Sequence, residues 1–391
     1  MNQSMKSIPR TIWILGFVSL LTDVSSEMIH SVLPLFLVST LGASPLTIGG
    51  IEGVAEATAS IFKVFSGALS DYLGKRKALV VAGYGLSTLV KPLFAIATSP
   101  AWVLIARFAD RTGKGIRAAP RDALVADSTD ASNRGAAYGF RQSLDTIGAF
   151  LGPLFAAALL SAFPQQFRLI FWMALIPGIL SVLLLAIGIR EPRQTHHQSR
   201  RNPLQWSVLQ QLGASYWWLV VTALLFNLGN SSDAFLLLRA SQIGIASAEV
   251  PLALVVMNLT YALSAYPFGR LSDRLDRVSL FTAGLGLYAI VYLGFAFVSS
   301  AWQIWGLFAL YGVHLGMTQG VLLALVADRI PAQLRGTAFG FLNLATGVAL
   351  LPASLLAGWL WQSVSPSATF LAGSVFALVA MLVLLVSLRS R

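Results

Sequence analysis

The ionisable residues of this chain sit where a soluble protein would not put them. Asp23, Glu27 and His30 are spaced i, i+4, i+7 inside a long apolar run. At 100° per residue they share one helical face within about 60°. Glu52, Glu56 and Lys63 share a face of the next apolar run. Further on, Arg107, Asp110, Arg111, Lys114 and Arg117 form a stripe about 120° wide. Arg141 and Asp145 are i, i+4 neighbours, and Lys91 directly precedes Pro92. An ionisable group at bilayer depth costs at least about 2.5–3.5 kcal/mol on insertion scales, so each of these needs a reason to be there.

Carboxylates that gain and lose charge can carry protons. Glu27, Asp23 and Glu56 are the candidates early in the chain. Asp233 joins them because Ser231-Ser232-Asp233 resembles Ser25-Ser26-Glu27. Charged and polar groups turned away from lipid can hold a solute, and His30, Glu52, Arg107, Arg111, Arg141, Asp145 and Asn227 are the candidates. The bland alternative is a buried salt-bridge network that only ties helices together. Buried pairs are weak evidence for stability in themselves, so a network this large favours moving or binding something. Asp23, Glu27 and His30 also offer oxygen and nitrogen ligands that suit a divalent metal, at a spacing that permits such a site without specifying it. For Asn227, Asn230, His314, Gln319 and Asn343 an interhelical hydrogen bond competes with ligand contact. Arg239 is placed to pair with Asp233.

Bulk composition explains why these charges stand out. The chain has 391 residues, 56% hydrophobic and only 11% charged, with mean hydropathy +0.73. Soluble domains carry roughly a quarter charged residues. Apolar runs of spanning length recur from end to end, so this is a polytopic membrane protein. Twelve spans are predicted, over roughly 11–41, 46–70, 77–98, 101–126, 135–162, 167–189, 214–240, 247–268, 278–298, 302–326, 336–362 and 367–388. The net charge of +11 would suit nucleic acid in a soluble protein. In this chain cations at one side account for it. Lys6, Arg10, Lys75, Arg76, Lys77, Arg121, Arg134, Arg190, Arg193, Arg200, Arg201, Arg270, Arg274, Arg277, Arg329, Arg335, Arg389 and Arg391 fall together, and the opposite loops hold Arg168 and little else. By the positive-inside rule both termini are cytoplasmic, which an even span count requires. The N-terminus lacks a small-residue cleavage site and reads as a retained first helix.

With no cysteine there is neither a disulfide framework nor a thiolate metal site. No nucleotide loop, nucleophile elbow or metalloprotease motif occurs, and Gly113-Lys114-Gly115 is too short for a phosphate cradle. An enzyme is not expected, nor a cofactor. Most of the ten tryptophans, Trp102, Trp217, Trp218 and Trp302 among them, lie near span ends and read as interfacial anchors.

Two hairpins organise the chain. Gly67-Ala-Leu-Ser-Asp71-Tyr-Leu-Gly74-Lys75-Arg76-Lys77 returns about two hundred residues later as Gly269-Arg270-Leu-Ser-Asp273-Arg274-Leu-Asp276-Arg277. Ala123-Leu-Val-Ala-Asp127 with Arg134-Gly135 likewise returns as Ala324-Leu-Val-Ala-Asp328 with Arg335-Gly336. Same order and same topology mean parallel repeats, the plan of a transporter with its path between two halves. The expected domains are a six-helix bundle over 1–189, a cytoplasmic linker over 190–213 and a second bundle over 214–391. His196 and His197 in the linker are most simply solvated loop residues.

These repeats resemble the major facilitator superfamily over the whole chain. The hairpins match its loop motif, glycine-x-leucine-x-aspartate with trailing cations, although Asp276 replaces the later glycine in the second copy. The resemblance implies an all-α membrane fold of twelve helices in two pseudo-symmetric six-helix bundles. It gives Gly67, Asp71, Arg76, Gly269, Asp273, Gly148, Gly152 and Pro153 a gating role. Gly139, Gly148, Gly152 and Pro153 resemble the family's antiporter motif, with Ala156 and Ala157 where the pattern ends in glycines. Arg107 resembles the family's arginine motif, but Asp110 and Arg111 depart from it. The implied function is secondary transport, most simply proton-coupled antiport or efflux of a small solute by a monomer in the cell membrane, through rocker-switch alternation of the halves. Transport of an organic anion through Arg107 and Arg111, or export of a divalent metal or its chelate, would use the same fold. A non-transporting sensor would bind ligand without flux.

Overall fold

A segment in lipid must satisfy its backbone hydrogen bonds internally, so apolar runs of this length fold as helices. The computed structural model describes residues 9–73, 76–129, 134–189, 212–272, 274–330 and 334–389. Regular structure among them is wholly helical, in fifteen helices. They are α1 (Arg10–His30), α2 (Leu33–Ser39), α3 (Pro45–Leu73), α4 (Arg76–Leu89), α5 (Lys91–Ile96), α6 (Pro100–Asp127), α7 (Arg134–Ala162) and α8 (Phe167–Gly188). After these come α9 (Ala214–Gly229), α10 (Ala234–Gln242), α11 (Val250–Ser272), α12 (Arg277–Phe297), α13 (Ala301–Asp328), α14 (Arg335–Ser363) and α15 (Pro366–Arg389).

Twelve spans account for the fifteen helices because three spans are broken. α1 stops at His30 because Pro34 has no N–H to return to its carbonyl. α5 restarts beside Pro92 in the same way. The break between α9 and α10 has no proline. There Asn230 has left helical geometry, with φ −92° and ψ 77°, and the Ser232 hydroxyl accepts from the Ala234 N–H. Short polar side chains compete with the helix ladder in this way. Among the described residues ten spans are long and apolar enough to cross a membrane. The other two are α3 and α6, long enough at 29 and 28 residues but carrying the charge stripes.

Contacts divide the chain into two compact units. One comprises residues 1–32 and 58–202, the other 33–57 and 203–391. In the first, α1 packs on α7 and α8, and α4 packs on α6 and α8. Ile12, Leu15, Val18, Val80, Leu124 and Leu185 form its core. The second repeats the plan, with α9 on α14 and α15, and α12 on α13 and α15. Tyr216, Leu219, Phe281, Leu285, Val321 and Leu325 are central there. In both units large apolar side chains remain exposed, among them Leu89, Ile187, Phe297 and Val386, as a lipid-facing surface requires. Trp102, Trp218 and Trp302 are exposed near helix starts. Trp217 departs from the expected anchor: it packs edge-on against Tyr216 and Phe341, at 5.4 and 5.3 Å.

Several expected features lie outside the described residues: Lys6, Gly74, Lys75, Asp273, Arg391, and the linker over 190–211 with Arg190, Arg193, His196, His197, Arg200 and Arg201. The side chain of Asp71 also lies outside them.

Candidate functional site

The charges of the first unit converge. Lys91 on α5 is 1% exposed, and its Nζ reaches the Ser26 hydroxyl on α1 at 3.4 Å. Asp110 on α6 is the strongest opposite charge acting on Lys91, with Asp23 contributing from α1. Arg107, Arg111 and Arg117 surround Asp110 from its own helix. Arg117 donates to the Ser87 hydroxyl at 2.7 Å and lies 4.5 Å from the centroid of the Tyr84 ring. On α7, Arg141 pairs with Asp145 at 2.6 Å, and Asp145 acts on Asp23. Glu27 contacts His30 at 3.5 Å and faces Lys114 and Arg111. Arg107, Asp110, Arg111, Arg117 and Arg141 are all buried.

Glycines make this convergence possible by letting backbones approach. A Cβ at Gly148 would lie 2.6 Å from the Leu20 carbonyl oxygen and 2.9 Å from the Asp23 Cβ. A Cβ at Gly152 would lie 2.6 Å from the Glu27 Cβ. Two glycines of the antiporter-like motif are thus seated directly on the acids of α1, with Pro153 buried beside them inside α7. Gly139 has no such neighbour. Gly83 and Gly113 bring α4 against α6, where a Cβ on either would meet the other's carbonyl oxygen at 2.7 or 2.6 Å. Gly178 leaves room for Lys91, whose Cε would be 3.3 Å from a Cβ there.

The hairpin cations are anchored alike in both units. Arg76 pairs with Asp127 at 2.5 Å, and Arg277 pairs with Asp328 at 2.6 Å. Each pair ties the start of one span to the acid ending the next span. Asp276, at the position of the missing glycine, caps α12 by accepting from the Val278 and Ser279 N–H groups. Gly67 has only ordinary contact with Ala119, and Gly269 has open space around it.

The second unit carries a different centre. Tyr311 reaches Asp233 Oδ1 and Asn230 Oδ1, each at 3.2 Å. Tyr288 donates to the Gly229 carbonyl at 3.0 Å. His314 is buried, with Nδ1 2.8 Å from the Gly284 carbonyl. Arg239 corrects the expectation that it pairs with Asp233: its guanidinium donates to Phe295 O at 3.1 Å, Ala296 O at 3.2 Å and Gln242 Oε1 at 2.9 Å. Arginine side chains can hydrogen-bond the unsatisfied carbonyls at a helix end. Asn227 turns back on its own helix, donating to Ala223 O at 2.8 Å. Gln319 accepts from Tyr261, and Asn343 is exposed.

Asp23, Glu27, His30, Arg107, Arg111, Arg141 and Asp145 lie in the first unit, with Lys91 among them. Glu52, 1% exposed, and Glu56 belong instead to the second unit. The tyrosines of that unit went unnoticed, although Tyr288 and Tyr292 stand i, i+4 on one face of α12. Among the described residues no three His, Asp or Glu side chains gather closely enough to hold a metal ion.

Comparison with known proteins fits this duplicated plan. The family model described as Major Facilitator Superfamily matches residues 15–239 and again 234–391. An MFS-type transporter of Methanocaldococcus jannaschii is 35% identical over 391 residues, covering 98% of this chain and 96% of that protein. The class C tetracycline resistance protein of Escherichia coli is 25% identical over 358 residues, covering 85% and 86%. A bacterial homolog of the human lysosomal transporter Spinster, solved inward-facing and unoccupied, matches with TM-score 0.78 at 16% identity, covering 97% of each chain.

Proposed function

We propose that this chain, which belongs to the Major Facilitator Superfamily, is a proton-coupled antiporter that exports a small solute. It is a multi-pass membrane transporter and not an enzyme. The observation that carries the proton reading is the seat of Asp23 and Glu27: two carboxylates on α1, pressed against Gly148 and Gly152 of α7 and facing the cations of α6. Glu27, which faces Lys114 and Arg111, is attracted to them when charged and loses those attractions when it takes a proton, whereas Asp23 also lies beside the like charges of Asp145 and Glu27. Protonation of Glu27 or Asp23 then biases one of two conformations of the transporter, as any ligand with unequal affinity for two states does. Glu56 and Asp233 are the further proton carriers of this reading. Alternating access of the two sequence halves supplies the transport step. The cation-rich loops mark the cytoplasmic side, with both termini there. Export finds support in the tetracycline resistance protein, whose name states its effect and whose sequence aligns over most of this chain.

A second reading has its own observation. Arg107 and Arg111 are both buried on one face of α6, which suits an anionic solute. The deciding experiment reconstitutes the protein in liposomes holding a pH-sensitive dye and offers pooled cationic drugs, organic anions and divalent metals. Solute-dependent proton movement, lost in Glu27→Gln, supports coupled antiport and names the cargo class. Solute flux indifferent to pH and to that substitution overturns it.

A further inference from the structure

The break in span seven gathers oxygen atoms. α9 ends at Gly229 and α10 begins at Ala234. The gap presents the Gly229 carbonyl, the Asn230 side-chain oxygen and the Asp233 carboxylate to α12 and α13. Tyr288 reaches the first two, at 3.0 and 3.4 Å, and Tyr311 the last two, at 3.2 Å each. A phenol has one proton, so Tyr311 satisfies only one of its two acceptors at a time. Tyr292 stacks on Tyr288 with centroids 4.0 Å apart. It is 1% exposed, and its hydroxyl lies among Tyr288, Ser231 and Tyr311. Asp233 is the carboxylate acting on that hydroxyl. Arg239, on the same span, is committed to carbonyls at the end of α12 and to Gln242.

We propose that this centre receives the ammonium group of the transported solute. The inference rests on reading the chain as a solute transporter, and it names the cargo's chemistry. An ammonium brings three N–H donors and no acceptor. It meets one carboxylate, two amide-type oxygens and three phenol oxygens. The carbonyl end of α9, the negative pole of that helix, faces the same place. Aromatic rings pack against Tyr288, with Phe226 at 4.8 Å and His314 at 5.0 Å from its ring. A carboxylate or phosphate solute would meet oxygen lone pairs and a like charge.

The test is equilibrium binding to the full-length protein in detergent, without any gradient, so a failure of proton coupling leaves it readable. Phenethylamine, phenylacetate and 2-phenylethanol share an apolar body and differ in the head group. Each is titrated at millimolar concentration while protection against thermal unfolding is followed, since a ligand of the native state raises the transition. Sodium chloride forms a separate arm. Phenethylamine alone is expected to stabilise, saturably. Asp233→Asn should weaken its apparent affinity about thirtyfold or more, and Tyr311→Phe roughly threefold. Stabilisation by phenylacetate, equal stabilisation by all three probes, or none by phenethylamine overturns the proposal. So does stabilisation by sodium alone, which would make the centre an alkali-ion site. Wild-type affinity in Asp233→Asn is equally fatal. Should that variant not fold, Tyr311→Phe and the head-group comparison decide.

Discussion

Counted from the Arg76–Asp127 and Arg277–Asp328 pairs, the two helix pairs α4–α6 and α12–α13 can be laid over one another residue by residue. Ser87 then corresponds to Tyr288, Lys91 to Tyr292, Asp110 to Tyr311 and Arg117 to Thr318. Gly83 corresponds to Gly284, and Gly113 to His314. One scaffold has been given two chemistries. Where the first unit lets backbones touch through Gly83 and Gly113, the second inserts the His314 ring, hydrogen-bonded to Gly284. Where the first places a buried lysine near a buried aspartate, the second places two phenols. The difference teaches that this duplicated frame preserves residue registry and its hairpin ion pairs, while the buried positions between them diverge. Polarity is free to specialise, ionic in one unit and aromatic-hydroxyl in the other.

The sharpest way to break the comparison is at Gly152. Leucine there would overlap Glu27 and its helix, whereas Ala353, which occupies the corresponding position of α14, already carries a Cβ. Gly152→Leu should cost at least about 1–3 kcal/mol as overpacking and abolish transport. Ala353→Leu should cost less. Thermal unfolding and flux of the two variants would measure the asymmetry.

Lys91→Met comes next, because it leaves Asp110 buried without its strongest opposite charge. Removing one partner of a buried pair costs roughly 3–5 kcal/mol. Tyr292→Phe at the corresponding position leaves no buried charge without its partner, so stability should fall by only about 0.5–1.5 kcal/mol. Equal losses would mean that the two units are not specialised as described. A smaller effect is expected at the hairpins. A double-mutant cycle on Arg76 and Asp127 should return a coupling of about 0.2–1 kcal/mol, and one on Arg277 and Asp328 less, since the second pair is the more exposed. Raised salt should shrink both.

The span pattern was legible because apolar length and cation placement are properties of the local sequence. α3 and α6 were legible for the same reason that composition alone excludes them: their charges fall on one face each. The faces of Asp23, Glu27 and the α6 stripe were readable from helical spacing. Their partners were not, because Arg76–Asp127 and Lys91–Asp110 join residues on different helices. Tyr288, Tyr292 and Tyr311 escaped for another reason. A tyrosine on an apolar helix reads as core until its hydroxyl is seen beside Asn230 and Asp233. The break at Asn230 was equally silent, since neither proline nor a run of glycines marks it.

One feature common to both units has a historical reading. Arg168, at the start of α8, donates to Ala95 O at 3.0 Å and Ala97 O at 2.8 Å at the end of α5. Arg239, on α10, donates to Phe295 O and Ala296 O at the end of α12. By the same registry Ala95 and Ala296 correspond, yet the arginines come from helices that do not. After duplication the two copies retained an obligation, to neutralise the last carbonyls of a span, and discharged it from different quarters. Residue identity reveals the repeated hairpins, but it does not reveal this shared need of two corresponding carbonyl ends.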